Sequence, residues 1–174
     1  MMAEQTIWMG EREHERFGAV WTAVSAAGVV AVSLWPEREK FAVEVAKLTG
    51  RQPVYAAAAV AGVLDELDAY FQGQRRDFAA PIDWSVMTPF QQTALRAVYA
   101  IPYGRYLTYA DVAQQIGQPK AVRAVGRANA TNPMPIIIPC HRVLGSDGRL
   151  HGYGGPGGLD TKAWLLRLEG AWLL

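Results

Sequence analysis

The stretch Thr108-Tyr109-Ala110-Asp111-Val112-Ala113-Gln114-Gln115-Ile116-Gly117-Gln118-Pro119-Lys120-Ala121-Val122-Arg123-Ala124-Val125-Gly126-Arg127-Ala128-Asn129-Ala130 reads as two short helices joined by a tight turn. Thr108 and Asp111 open a helix over Tyr109 to Ile116, and Gly117 closes it. Gln118-Pro119-Lys120 connects it to a helix from Ala121 to Ala130. Helices joined by so few residues, with a glycine in the turn, match a helix-turn-helix; an ordinary αα-hairpin has the same spacing. The second helix is thin at Ala121, Ala124, Gly126 and Ala128, and cationic at Lys120, Arg123 and Arg127. Such a helix can approach a nucleic-acid groove closely while its cations neutralise phosphates. Packing against a core would equally use the small residues.

Working outward, Thr88-Pro89-Phe90-Gln91 is a capping box with proline at the first helical position, so a helix runs to about Ala100. Ile101-Pro102-Tyr103-Gly104 breaks it. Further upstream, Phe17 to Ser25 and Gly28 to Trp35 are valine-rich and separated by Ala26-Ala27, as in a β-hairpin. Glu37 to Leu48 has helical spacing and stops at Gly50, and Ala56 to Phe71 is a long alanine-rich helix. Arg76 to Ile82 is expected as another strand, and Pro81 to Met87 as a connector. Downstream, Leu144 to Tyr153 reads as a hairpin around Ser146-Asp147-Gly148. The loop Tyr153-Gly154-Gly155-Pro156-Gly157-Gly158 has a bare backbone able to offer N–H groups to a ligand. Asp160 then caps a helix through Trp164 and Leu168 that stops at Gly170. This order predicts an α/β (α+β) chain: a sheet-plus-helix lobe over 1–84, and a mainly helical domain with a helix-turn-helix over 85–174.

Composition bounds the chemistry. The 174 residues are 51% hydrophobic and 19% charged, as in an ordinary globular protein. The net charge of +1 hides an asymmetry: residues 1–84 carry −4 and residues 85–174 carry +5. A basic second half hints at a polyanionic partner. A single cysteine excludes an intramolecular disulfide framework and a multi-cysteine zinc site. A free thiol that must react implies a reducing compartment. No apolar run suits a spanning helix, and the first ten residues lack a secretory signal pattern. A cytoplasmic protein with no membrane partner is expected.

The lone thiol lies in Pro139-Cys140-His141-Arg142-Val143, after the stiff run Asn132-Pro133-Met134-Pro135-Ile136-Ile137-Ile138. The prolines fix φ and extend the residues before them, so the thiol sits on a loop with little freedom. A neighbouring imidazole favours the thiolate that a nucleophile needs. The bland reading is a small buried hydrophobe beside a satisfied histidine. Glu169 occupies a last helical turn, where the macrodipole disfavours an anion, which suggests a cationic partner.

Taken in order, several short motifs resemble the O6-alkylguanine-DNA alkyltransferases. They are Phe90-Gln91-Gln92, Ile101-Pro102-Tyr103-Gly104, Thr108-Tyr109, Arg123-Ala124-Val125-Gly126, Asn132-Pro133, Pro139-Cys140-His141-Arg142-Val143, Gly152-Tyr153-Gly154-Gly155, Trp164-Leu165-Leu166 and Leu168-Glu169-Gly170. The resemblance covers Thr88 to Gly170; over 1–84 it rests on the order of elements alone.

That family implies DNA repair by direct reversal: the alkyl group of O6-alkylguanine in double-stranded DNA moves irreversibly to Cys140, with O4-alkylthymine as a further candidate substrate. The protein is spent after one turnover and needs no cofactor. The base is flipped out from the minor groove, with weak sequence preference. By resemblance, Arg123 fills the gap left by the base. Tyr109 presses on its phosphate and hydrogen-bonds N3 of the departing guanine. Lys120, Ala121, Ala124, Gly126 and Arg127 line the DNA-binding helix. A relay runs from Cys140 to His141, through a water, to Glu169, and Asn132 braces the active loop. Pro135, Tyr153, Gly154 and Gly155 form the substrate pocket. A monomer is implied, with cooperation between copies on DNA left open.

The sequence departs from the family in three places. The glycine loop 154–158 is about two residues longer than usual. Val122 and Arg127 stand where many members have alanine and glycine. The first lobe has none of the cysteines through which some members bind zinc, so no metal is expected. The competing readings are a lesion-binding relative that does not transfer, a cysteine hydrolase using Cys140 and His141, and a DNA-binding regulator.

Overall fold

The valine-rich run before Trp35 folds back on itself as β2 (Gly18–Ser25) and β3 (Gly28–Ser33), an antiparallel pair turning at Ala26-Ala27. The coordinates are a computed structural model that describes residues 6–35, 37–153, 155 and 157–171. Two compact units result, one ending at Met87 and one beginning at Thr88.

In the first unit the hairpin extends to a four-stranded sheet of order β3-β2-β1-β4. Here β1 is Trp8–His14, antiparallel to β2, and β4 is Val54–Tyr55, parallel to β1. Charges at Glu11, Arg12 and Glu13 mask β1 in the sequence. The structure explains Arg12: its Nη1 lies 2.7 Å from both Asp65 Oδ1 and Asp68 Oδ2 on α2 (Ala57–Phe71). A charged strand residue thus meets carboxylates of the covering helix instead of apolar surface.

The first unit's helices cover opposite faces of the sheet, as the alternation of strand side chains requires. Met9 joins Trp21, Ala23, Ala31, Phe41 and Val45 in the core beneath α1 (Arg38–Thr49). The next residue, Gly10, faces α2: a Cβ there would lie 2.7 Å from Val60 Cγ2, so only glycine permits the approach.

Segment 76–82 is not the expected strand. Only Ile82 bridges to Val29. Glu66 Oε2 accepts the Ala79 N–H at 2.8 Å, and Pro81 has no N–H to give a ladder.

The second unit is built on two capping boxes. Thr88 Oγ1 accepts the Gln91 N–H while Gln91 Oε1 accepts the Thr88 N–H, opening α3 (Pro89–Tyr99). Thr108 and Asp111 do the same for α4 (Tyr109–Gln115). After the turn, α5 (Val122–Ala130) starts one residue later than expected, with Ala121 as an N-cap lacking a side-chain bond. These three helices pack on one another.

The expected 144–153 hairpin is half present. A turn closes through Gly148 N to Gly145 O, but Leu144 belongs to β6 (Val143–Leu144). That strand pairs in parallel with β5 (Leu107–Thr108). Beyond the Gly145 N–H bond to Arg149 O at 3.1 Å, the residues after the turn form no ladder. The last helix, α6 (Leu159–Leu168), is capped by Gly158 at φ +50°, and Asp160 sits in its first turn rather than at the cap. Among the described residues no helix is long and apolar enough to cross a membrane.

Candidate functional site

Cys140 opens a short 3-10 turn, Cys140–Arg142, and is buried. The loop before it is held from inside. Asn132 Nδ2 donates to Ile138 O at 2.9 Å, and Asn132 Oδ1 accepts the Met134 N–H at 3.0 Å. These bonds hold Ile136 at φ +76°, a conformation a β-branched residue adopts only when its surroundings dictate it.

Burial pushes the Cys140 thiol up from its ordinary pKa. An Asn132 hydrogen bond, the charge of Lys162 and the backbone N–H groups of the turn pull the other way. The cation acting on the sulfur is therefore an ammonium, and not the adjacent imidazole that the Cys-His pair suggests. His141 is fully buried, and burial lowers its pKa despite the opposing pull of Glu169, so the ring is neutral.

The carboxylate at the wrong end of a helix has its cation. Glu169, the C-cap of α6, receives His141 Nε2 on Oε1 at 2.8 Å. Arg142 makes a fork to it, Nε to Oε2 and Nη2 to Oε1, both at 2.9 Å. The Gly104 N–H adds a bond to Oε2 at 3.2 Å. Burial alone would raise the Glu169 pKa; the bonds from His141 and Arg142 hold it down to about 2. With Glu169 ionised, Nε2 carries the ring proton of neutral His141, and Nδ1 is the nitrogen left to take another. The breaker Ile101-Pro102-Tyr103-Gly104 thus serves this end of α6. Tyr103 OH donates to Leu168 O, and the buried Arg142 also donates to Ile101 O.

Lys162 is the residue the sequence reading passed over. It is 1% exposed, and its Nζ donates to Val143 O at 2.7 Å and His151 O at 2.9 Å. Burial lowers its pKa to about 8, while Cys140 pulls the other way. One signal was available: Lys162 precedes Leu165 and Leu166 by three and four residues, which places it on the apolar stripe of α6. Tyr109, half-buried, donates to the same His151 carbonyl at 3.3 Å, with its ring 5.8 Å from Lys162 Nζ. Burial raises the Tyr109 pKa and the Cys140 charge adds to it, so the phenol is a neutral donor.

Cys140, His141, Asn132, Tyr109 and Glu169 therefore converge. The α5 residues lie on a separate outward face. Lys120, Arg123, Ala124 and Arg127 are exposed, with Ala121, Val122 and Gly126 at its margin, while Val125, Ala128 and Asn129 point inward. A Cβ at Gly126 would meet nothing within 4 Å. Core packing thus accounts for Ala128 but not for Ala124 or Gly126. Pro135 bridges to Ile138, and Tyr153 packs on Gly155. Gly154 and Pro156, within the longer loop, lie outside the described residues. Among the described residues no cluster of three His, Cys, Asp or Glu forms a metal site.

Residues 89–171 match the family model of the 6-O-methylguanine DNA methyltransferase DNA-binding domain. The chain is 50% identical over 111 residues to the methylated-DNA--protein-cysteine methyltransferase of Mycobacterium leprae, a stretch covering 64% of this chain and 66% of that protein. It is similar in structure to the Mycobacterium tuberculosis O6-methylguanine methyltransferase, with TM-score 0.78, 33% identity, and coverage of 97% of this chain and 96% of that one. A structure of Mycobacterium tuberculosis OGT in complex with DNA aligns with TM-score 0.77 and 33% identity, over 95% of this chain and 93% of that one.

Proposed function

Because this chain belongs to the O6-methylguanine-DNA methyltransferase family, we propose that it repairs DNA by moving the alkyl group of O6-alkylguanine onto Cys140 Sγ, once per molecule. The observation that carries this reading is the buried Cys140 thiol between the Lys162 charge and the Asn132 hydrogen bond, with neutral His141 anchored on Glu169.

Each group has a task. His141 Nδ1 takes the thiol proton through a water, and the resulting imidazolium is stabilised by Glu169, which Arg142 keeps ionised. The Lys162 ammonium offsets the thiolate charge in a dry site, where such an interaction is stronger than in water. Sγ displaces the base from the alkyl carbon, and Tyr109 donates to N3 of guanine as charge builds there. For that the phenol exchanges its 3.3 Å bond to His151 O, long enough to be given up readily. The thioether is not hydrolysed, so the protein is consumed.

The target carbon is inside the stacked duplex, so the nucleotide must rotate out. The outward face of α5 suits that step from the minor groove: Ala124 and Gly126 let the helix lie close, while Lys120, Arg123 and Arg127 meet phosphates or the vacated stack. Contacts of this kind carry little sequence information. We further propose that it acts as a monomer in a reducing compartment where DNA is accessible, and that O4-alkylthymine is a second substrate.

Intact mass after incubation with a duplex bearing one O6-methylguanine tests the core of the proposal. One methyl group on Cys140, saturating at one per molecule, is expected; catalytic turnover or an unmodified Cys140 overturns it. Arg123→Ala is expected to slow repair of the duplex about tenfold while leaving the reaction with free O6-benzylguanine unchanged, since only the duplex requires extrusion. Equal losses on both substrates would remove Arg123 from that role.

A further inference from the structure

Tyr153 carries a polar group that the mechanism above leaves without a task. Its hydroxyl oxygen is buried and has no hydrogen-bond partner among the described residues. A buried donor left unsatisfied costs about 1–3 kcal/mol, so such a group is rarely left without use. The ring is held in place, because a Cβ at Gly155 would sit 2.7 Å from Tyr153 Cε1; the aromatic edge rests on bare backbone. Two residues upstream is His151, whose carbonyl ties down both Lys162 Nζ and Tyr109 OH. Burial raises the Tyr153 pKa well above its ordinary value, and the Cys140 charge adds to it. Lys162 Nζ bonds both Val143 O and His151 O, so the segment carrying Tyr153 is tied to the Cys140 turn, and the phenol stays protonated at neutral pH.

An in-line displacement puts the sulfur, the alkyl carbon and O6 on one line. With the reacting atoms about 3–3.5 Å apart, O6 then lies within about 5 Å of Sγ. A buried, unpartnered donor that feels the Cys140 charge can serve that oxygen.

We infer that the Tyr153 hydroxyl is a catalytic hydrogen-bond donor to O6 of the alkylated guanine, which makes the base a better leaving group. The inference rests on the alkyl-transfer reading given above. As the S–C bond forms and the C–O6 bond breaks, the electron pair of that bond moves onto O6 and spreads to N1. Tyr153 keeps its proton and shortens its hydrogen bond. The thiol proton, held by His141, restores the neutral base at N1. Tyr109 at N3 and Tyr153 at O6 would then meet the developing charge from two sides.

Tyr153→Phe removes the oxygen and keeps the ring on Gly155. Its single-turnover rate is expected to fall about tenfold with both an O6-methylguanine duplex and free O6-benzylguanine, the loss typical of one hydrogen bond. Affinity for an undamaged duplex, which offers no alkylated base to the pocket, should not change. Alkylation of Cys140 by iodoacetamide, which has no purine leaving group, should proceed at the parent rate. Unchanged transfer rates overturn the inference. So does a parallel slowing of the iodoacetamide reaction, since the hydroxyl would then act on the thiol and not on the base. If the parent protein transfers nothing, the alkyl-transfer reading itself falls, an outcome the variant cannot imitate.

Discussion

Replacing Arg142 by methionine is expected to lower the stability of the C-terminal unit by about 3–5 kcal/mol, the usual cost of removing one partner from a buried ion pair. Arg142 supplies Glu169 with its two 2.9 Å fork bonds and also caps Ile101 O. Methionine fills similar space but strands a buried carboxylate and a carbonyl together. A urea titration should show a lower midpoint with an unchanged slope.

The pH dependence should move as well. The Glu169 pKa is about 2 in the folded protein against an ordinary 4.5. A depressed carboxylate contributes stability that is present above pH 4.5 and lost as pH falls toward 2; here it amounts to about 3 kcal/mol. Without the guanidinium that pKa rises, so the acid limb of the stability curve should shift to higher pH. A variant as stable as the parent at neutral pH, with the same acid limb, would mean that the fork contributes nothing beyond packing.

Lys162→Met is expected to slow alkylation of Cys140 about tenfold at neutral pH, by duplex substrate and by iodoacetamide alike. A unit charge several ångström from the sulfur, at an effective dielectric near 20, is worth about 2–3 kcal/mol and so about a hundredfold in thiolate fraction. The more basic thiolate recovers roughly half of that loss on a logarithmic scale through higher nucleophilicity.

The same substitution has a structural readout with its own sign. The Lys162 pKa is about 8 in the fold against 10.5 outside it. A lysine with a depressed pKa costs stability, fully below pH 8, and the cost of about 3 kcal/mol is relieved as pH rises from 8 to 10.5. The parent should therefore gain stability across that window from this group, and Lys162→Met should lack the gain. Unchanged iodoacetamide kinetics would remove Lys162 from thiol activation.

Local chemistry accounts for the elements that were legible. Thr88 with Gln91, and Thr108 with Asp111, bond to backbone three residues away, so each helix start is written in four consecutive residues. The hairpin before Trp35 and the glycine stops after α1 and α6 are equally local. β1 was not, because the arginine in it, Arg12, is explained only by Asp65 and Asp68, more than fifty residues on. The 76–82 segment was read as a strand because nothing local reveals that Glu66 takes the Ala79 N–H.

The site divides in the same way. That a lone thiol beside a histidine follows a stiff proline loop, and that Glu169 sits against the helix dipole, can be read along the chain. The side chains that answer those features cannot. Arg142 reaches Glu169 across 27 positions, and Lys162 reaches the Val143 carbonyl across 19. Sequence order decides caps, turns and periodicity because those interactions close within a turn of backbone. Which cation faces the sulfur, and which carboxylate stays ionised in the dry interior, depend on burial and on partners that meet only when the chain has folded.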